Sequence, residues 1–414
     1  MLRSDKKHMR QKLLISKTQI INFIFMLLLC FNESTTVIRY YLSGTYYILI
    51  TYSITFLAIL CLALCIKRLP QKSWMLLLVV AIAIVYSLIY SENVVYIQEL
   101  FNQTKFRTVW LVALLFGVQK NPDIIRKDLY RVAYIVLIIN IYGLLAGAYN
   151  HVDSTAINYM GFGYTCVLWW AIIVQSVFSD EKNGIQKAID IVSSVFVAMI
   201  VLFYGSRGSV LSLLVFLLYC FIKYYSRNRK IELCLLISAV TGLVYFFWNQ
   251  IFTLFILATD AVGISSRNLR LLQSSLLTSD THRSETVYSY SIELIKKHFL
   301  FGHGIGADRA VGGGTEYYSH NLILEVCVNF GVIIGVLIIA YVVSIGIKML
   351  IKVQEKEWVY YFAPFFVTCM VQVMVSSSLY LVSEFWTFIF IYYAYLAEMK
   401  RSRYAEGINN WRQP

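Results

Sequence analysis

The chain has 414 residues, 59% hydrophobic and only 14% charged, with a formal net charge of +13 and a mean hydropathy of +0.65. No water-soluble fold has an interior large enough for that much apolar surface, so two or three soluble domains are excluded and an all-α integral membrane protein is expected. The cations sit in clusters between apolar runs, which argues for membrane anchoring and against nucleic acid as a partner.

In chain order, residues 1–17 are basic and are followed by an apolar run from Ile20 to Phe31. No small-residue cleavage site follows, so this reads as an uncleaved first helix rather than a signal peptide. Apolar runs of roughly the 17–25 residues that a bilayer crossing takes recur about twelve times. They cover 16–36, 45–66, 73–91, 101–118, 129–149, 157–178, 188–205, 208–224, 231–257, 321–347, 357–376 and 379–397. With the N-terminus inside, 26 of the 36 Lys and Arg fall in cytoplasmic segments, which fits twelve spans and both termini in the cytoplasm. No repeat, linker or soluble domain interrupts 1–414, so the chain reads as a single polytopic membrane domain. Pro70 and Pro122 lie in cytoplasmic turns, and Pro364 inside the eleventh span is read as a kink. All eight cysteines lie in or beside apolar spans, as small membrane-buried hydrophobes rather than a disulfide framework.

The long polar exception is the loop 259–320, placed outside the membrane between the ninth and tenth spans and too long for a mere connector. Within it, Val287, Tyr290, Leu294, Ile295 and Phe299 recur at helical spacing, which predicts a helix over 284–299. Glu285 in its first turn and Lys296-Lys297 in its last suit the helix dipole. That helix is expected on the outer membrane surface or against the bundle.

The candidates for chemistry concentrate in and around this loop. Arg207 stands in Tyr204-Gly-Ser-Arg-Gly-Ser209 on the outer side. Either it snorkels to head groups, or its small neighbours let a phosphate reach the backbone while the guanidinium grips it. Arg267, Arg270 and Arg283 are outer-face cations that suit an anionic lipid surface or a pyrophosphate cage. His320 opens the tenth span, followed by Asn321 and, one turn on, Glu325, which needs a partner at the membrane boundary. A histidine there is either a structural cap or a base working near neutral pH. The string from Gly302 through Gly304 to Gly306 lacks a strand–helix setting, so it is no dinucleotide fingerprint; a backbone nest for an anion or a flexible turn remains. The loop histidines match no ligand spacing, and neither metal nor cofactor is expected.

Together these residues resemble the O-antigen ligase and polymerase (Wzy-like) family of bacterial membrane glycosyltransferases. The resemblance rests on Tyr204-Gly-Ser-Arg207-Gly, His282-Arg283-Ser-Glu-Thr-Val-Tyr288, Phe301-Gly-His-Gly-Ile-Gly306, and Ser319-His320-Asn321 with Glu325, Asn329-Phe-Gly331 and Gly335. Its ordered part covers about 200–340. It implies that Arg207 and Arg283 hold the pyrophosphate of an undecaprenyl-linked glycan and that His320 acts on the attacking hydroxyl. It also implies an inverting, metal-independent transfer. Arg267, Arg270, Gly304, Gly306, Asn321 and Glu325 are the further candidates for holding substrate. One departure is that Leu218 and Leu294 stand eleven residues after Arg207 and Arg283, where some polymerases carry glycine.

The expected function is polymerisation of undecaprenyl-pyrophosphate-linked repeat units on the outer face of the bacterial cytoplasmic membrane, into capsule, exopolysaccharide or O-antigen. A ligase that moves the glycan to another acceptor is the alternative within this chemistry. A flippase and a chain-length regulator are the protein partners such a reaction calls for. A transporter of the same lipid-linked glycan is the reading from another class. Against it, polar residues gather in one outer loop rather than at mid-membrane in two related halves.

Overall fold

The computed structural model describes residues 19–42, 44–89, 91–149, 157–178, 182–224, 287–309 and 319–410. Among them every regular element is helical. The helices are α1 (Gln19–Glu33), α2 (Thr35–Tyr41), α3 (Thr45–Cys65), α4 (Gln71–Ser87), α5 (Ser91–Asn102), α6 (Thr104–Gly117) and α7 (Pro122–Leu145). They continue with α8 (Ile157–Val177), α9 (Gly184–Tyr204), α10 (Arg207–Tyr224), α11 (Ser289–Lys297), α12 (Leu322–Ile347), α13 (Lys356–Val375) and α14 (Ser383–Asn410).

Several of these helices begin where local chemistry dictates. Asn121 accepts the Ile124 N–H at the start of α7, with Pro122 at the first helical position and Asp123 in the first turn. Asn183 caps α9 through the Gln186 N–H, and Asn321 caps α12 through the N–H groups of Ile323 and Leu324.

Among the described residues six helices are long and apolar enough to cross a membrane, or seven if α1 and α2, bent by 75°, form one span. The expectation of about twelve spans is therefore met by helices over nearly all the same stretches, but by fewer of spanning length. α4 and the apolar parts of α6 and α8 are shorter, and the expected ninth span, 231–257, lies outside the described residues. α13 is the centre of the bundle. Of its most apolar window 61% is buried, against 22% for α3 and α9, whose faces turn outward. Around it pack α7, α8, α10, α12 and α14. Aromatic edges lock the interior, with Phe116 on Phe365 at 5.0 Å and Phe362 on Phe388 at 5.9 Å between ring centres.

The feature that places the loop is a break in α12. Gly331 leaves the helical region at φ 77, ψ 167, and the segment 299–304 enters the gap. Val332 donates its N–H to the Phe299 carbonyl (2.8 Å), His303 donates to Val328 (2.9 Å), and Gly304 donates to Asn329 (2.9 Å). A Cβ on Gly302 would lie 2.6 Å from the Asn329 backbone, and one on Gly331 would collide with the Leu300 carbonyl oxygen. Only glycine admits this approach, and both residues have positive φ. The end of α4 holds the segment from the other side. Tyr86 donates its hydroxyl to the Phe301 carbonyl (3.3 Å), and the Ile305 N–H donates to Ser87 Oγ (2.6 Å).

The expected helix at 284–299 appears as α11, with the residues before 287 outside the described set. It packs on α12, and Leu294 joins Ala307 and Val328 in a small apolar cluster. Of the expected apolar face, Val287 and Leu294 are buried while Phe299 stays exposed.

Gly302→Ala and Gly331→Ala should each lower the detergent-solubilised thermal midpoint by several degrees, because backbone rather than a flexible side chain occupies the space. Gly184→Ala, which meets nothing within 4 Å, serves as the control and should leave the midpoint within error. Equal behaviour of all three variants would refute the docking of 299–304 into α12.

Candidate functional site

Arg207 is the first residue of α10 and is exposed, so its guanidinium adds to the positive end of that helix. Ser206 caps the helix by accepting the Ser209 N–H (3.1 Å). The small residues around it serve packing rather than open space. A Cβ on Gly208 would meet the Tyr164 hydroxyl, the Val375 side chain and Ser376 Oγ (3.1 Å), and one on Gly163 would meet Ser209. The glycines thus bring α8, α10 and the end of α13 to one point.

His320 arrives at the same point from the loop. Its Nδ1 lies 3.0 Å from the Ser376 carbonyl oxygen, which can only accept, so Nδ1 carries the hydrogen. In the neutral ring Nε2 is then the acceptor nitrogen, the form a general base requires. Tyr164 donates its hydroxyl to Ser376 Oγ (2.8 Å). Ser376 therefore touches the arginine turn, α8 and the histidine at once. Among the described residues His320 is the one non-glycine with positive φ (48°), a conformation the surroundings must hold in place.

What holds it is a set of buried carboxylates. Asp308 accepts both the N–H (3.1 Å) and the hydroxyl (3.0 Å) of Ser319, immediately before His320. Glu325, 1% exposed, accepts the Ser378 hydroxyl and the Leu379 N–H (3.1 Å), two residues beyond Ser376. The two carboxylates thus clamp the histidine segment from both sides. Arg309 stacks over the Tyr96 ring at 4.3 Å. Burial pushes the Tyr96 hydroxyl well above its ordinary range; Arg309 counteracts this, and Glu325 and Asp308 reinforce it.

Two large cavities flank the 376–384 connection. One, of about 760 Å³, is apolar and follows the length of α4 from Lys72 to Tyr86, with Ile334, Leu337 and Ile389 opposite. It reaches Tyr380 beside the Glu325 clamp. The other, of about 780 Å³, is polar and aromatic, with Asn32, Glu33, Gln103, Tyr149, Gln372 and Glu384 in its wall. It also exposes Tyr164, so it opens beside the Ser376 junction.

Of the residues expected at the site, His320 and Glu325 hydrogen-bond to the 376–379 connection, while exposed Arg207 neighbours it only through Gly208, which packs toward Ser376. Asn321 uses its side-chain oxygen to cap α12. The Gly304 N–H is engaged by Asn329, and Gly306 packs against the Tyr96 ring, so the expected anion nest is instead a backbone dock. Arg267, Arg270 and Arg283 lie outside the described residues. Sequence reasoning missed Tyr164, Asp308, Ser376 and Ser378. The run Ser376-Ser-Ser378 between two apolar spans was the available signal.

Residues 192–340 match the family model described as O-Antigen ligase, so over that segment the chain is similar to the Wzy-like, O-antigen ligase family. With the apolar helices, the match points to an integral membrane protein and a glycan-processing enzyme of the ligase or polymerase kind. No curated protein and no solved structure matches the chain. The matched segment contains Arg207, Arg283, His320 and Glu325 but neither Tyr164 nor the serines at 376–378.

Asp308→Ala should free Ser319 and leave its buried N–H without a carboxylate, at a cost of about 1–3 kcal/mol. Asp308→Asn, which keeps an acceptor oxygen, should retain most of the thermal stability. Matching losses in both variants would show that the hydrogen bonds are not what Asp308 contributes.

Proposed function

We propose that the chain transfers a glycan from a polyprenyl-pyrophosphate carrier to a sugar hydroxyl at the outer face of the cytoplasmic membrane. The observation that carries this reading is the meeting of His320 and the Arg207 turn at Ser376, whose carbonyl takes Nδ1–H and leaves Nε2 as the acceptor of the neutral ring. An acceptor hydroxyl attacks the anomeric carbon from the face opposite the leaving group, and the C–O bond to pyrophosphate breaks with its electron pair. The anomeric centre therefore inverts. The hydroxyl proton passes to His320 Nε2. Charge builds on the departing pyrophosphate, and Arg207, the α10 N-terminus and Arg283 stabilise it without a metal.

The amphiphilic substrate suits the two cavities. An isoprenoid tail fits the apolar channel along α4 and α12, and sugars fit the polar, aromatic chamber beside Tyr164. Lipid pyrophosphate also supplies the driving force, since nucleotide sugars are absent outside the membrane.

In the first reading the acceptor is another lipid-linked repeat unit, and the product is a growing undecaprenyl-linked polysaccharide. In the second the glycan passes to a different acceptor; the description of the matched family as O-Antigen ligase favours it.

With purified protein in lipid and undecaprenyl-pyrophosphate-linked repeat units, a ladder of one-repeat steps is expected on a gel. Release of whole glycan only when a second acceptor is added would select the ligase reading. His320→Ala should slow transfer by roughly 10²–10⁴-fold. Arg207→Ala and Arg283→Ala should abolish it while the protein inserts normally. Retained activity in all three variants would overturn the site.

A further inference from the structure

At the other end of the bundle lies a cavity that the transfer reaction does not use. It occupies about 320 Å³ between the start of α7, the end of α8 and the start of α13. The Ser376 junction touches the opposite ends of α8 and α13. From Tyr164 to Ser176 along α8, and from Tyr360 to Ser376 along α13, helical rise separates the two places by about 20 Å. The Lys and Arg distribution assigns this end to the cytoplasm.

Arg126, Lys127, Arg131 and Lys182 line it, and among the described residues no carboxylate does. The arginine at 126 and the lysine at 182 are the inner pair, with side chains only 19% and 18% exposed. Arg126 lies 5.7 Å from the Tyr360 ring centre and 3.6 Å from Asp123. Lys182 sits 3.4 Å from the Tyr130 ring centre, 2.6 Å from Asp190 Oδ2 and 3.0 Å from Ser176 Oγ. Arg131 reaches Asp128 at 3.2 Å from the rim.

The charge arrangement favours an incoming anion. Fully buried Asp190 already accepts the hydroxyls of Tyr130 (2.6 Å), Tyr134 (2.7 Å) and Ser176 (2.9 Å) besides the Lys182 ammonium. Those neutral donors share the carboxylate's charge, so it neutralises Lys182 only in part. Burial lowers the Lys182 ammonium from its ordinary range more than Asp190 raises it, and a second anion beside it would relieve that penalty.

The remaining wall is mixed, with Gln175, Ser176 and tyrosines beside apolar side chains. Leu129, Ile172 and Phe365 face the cavity on the side that continues into the bundle. Cations at one edge and aliphatic or aromatic surface at the other match an amphiphile better than a free ion. We infer that this cavity is a binding site for the phosphodiester headgroup of an anionic phospholipid of the inner leaflet. Its lipid would pin α7, α8 and α13, the same helices that carry Tyr164 and Ser376 at the other end.

The test uses the full-length protein in detergent micelles carrying phosphatidylglycerol or phosphatidylcholine, read by native mass spectrometry. Phosphatidylglycerol adducts should persist on the wild-type protein, and phosphatidylcholine adducts should not. The combined variant Arg126→Gln, Lys127→Gln and Arg131→Gln should weaken retention on the order of a hundredfold. Ile172→Trp, which fills the cavity and leaves every cation, should lose the adduct as well. Retention unchanged in both folded variants would overturn the site as general surface electrostatics. Inorganic phosphate that displaces the lipid and raises the thermal midpoint alone would reassign the cavity to a free phosphate compound and overturn the lipid inference. Should the variants not fold, photo-crosslinking of wild type decides. A diazirine-bearing phosphatidylglycerol should label peptides containing Ile172 or Phe365, and labelling elsewhere alone would refute the proposal.

Discussion

A helix that opens its backbone inside a membrane must have the freed N–H and C=O groups satisfied by protein, because lipid offers no partner. α12 opens at Gly331, and the segment 299–304 answers with three backbone hydrogen bonds. This pairing decides where the segment lies. Once 299–304 is docked, Ile305 reaches Ser87, Arg309 reaches Tyr96, and Asp308 meets Ser319. The position of His320 then follows from both neighbours, Ser319 held by Asp308 on one side and the capped start of α12 on the other.

Burial of charge follows from the same constraint. Asp308, Arg309 and Glu325 are nearly inaccessible, and ionisable groups in such a place persist only when paired and hydrogen-bonded. The two carboxylates meet that condition through Ser319, Ser378 and the Leu379 amide, and the Arg309 guanidinium lies over the Tyr96 ring. Their effect reaches function through geometry. They hold the loop and the 376–379 connection in one register, so the imidazole finds a carbonyl that sets its tautomer.

The two cavities beside that connection differ in character because different helices wall them. α4, α12 and α14 contribute aliphatic and aromatic faces, whereas the ends of α1, α6, α8 and α13 contribute amides, hydroxyls and carboxylates. An amphiphile with its reactive bond at the polar–apolar boundary would straddle the 376–384 connection, near Ser376. The basic cavity at the far ends of α8 and α13 likewise sets cations beside apolar side chains such as Leu129, Ile172 and Phe365.

Composition alone determined that the chain is a helical membrane protein, since 59% hydrophobic residues leave no soluble alternative. The lengths of the apolar runs placed most of the described helices, and periodicity placed α11; the asparagine caps of α7 and α12 came with the structure. The order Arg207, His320, Glu325 was legible for the same reason, as rare polar residues at the ends of apolar runs. What the glycines do was not legible. The string Gly302 to Gly306 read as nest or flexible turn until the structure showed Gly302 opposite Gly331, with backbone filling the space a Cβ would take on either. Nor could the sequence reveal that Ser376, more than fifty positions from His320, orients its ring, or that Tyr164 joins them. Hydrogen bonds and close approaches between distant segments depend on how helices pack, and packing direction is not written in any local window.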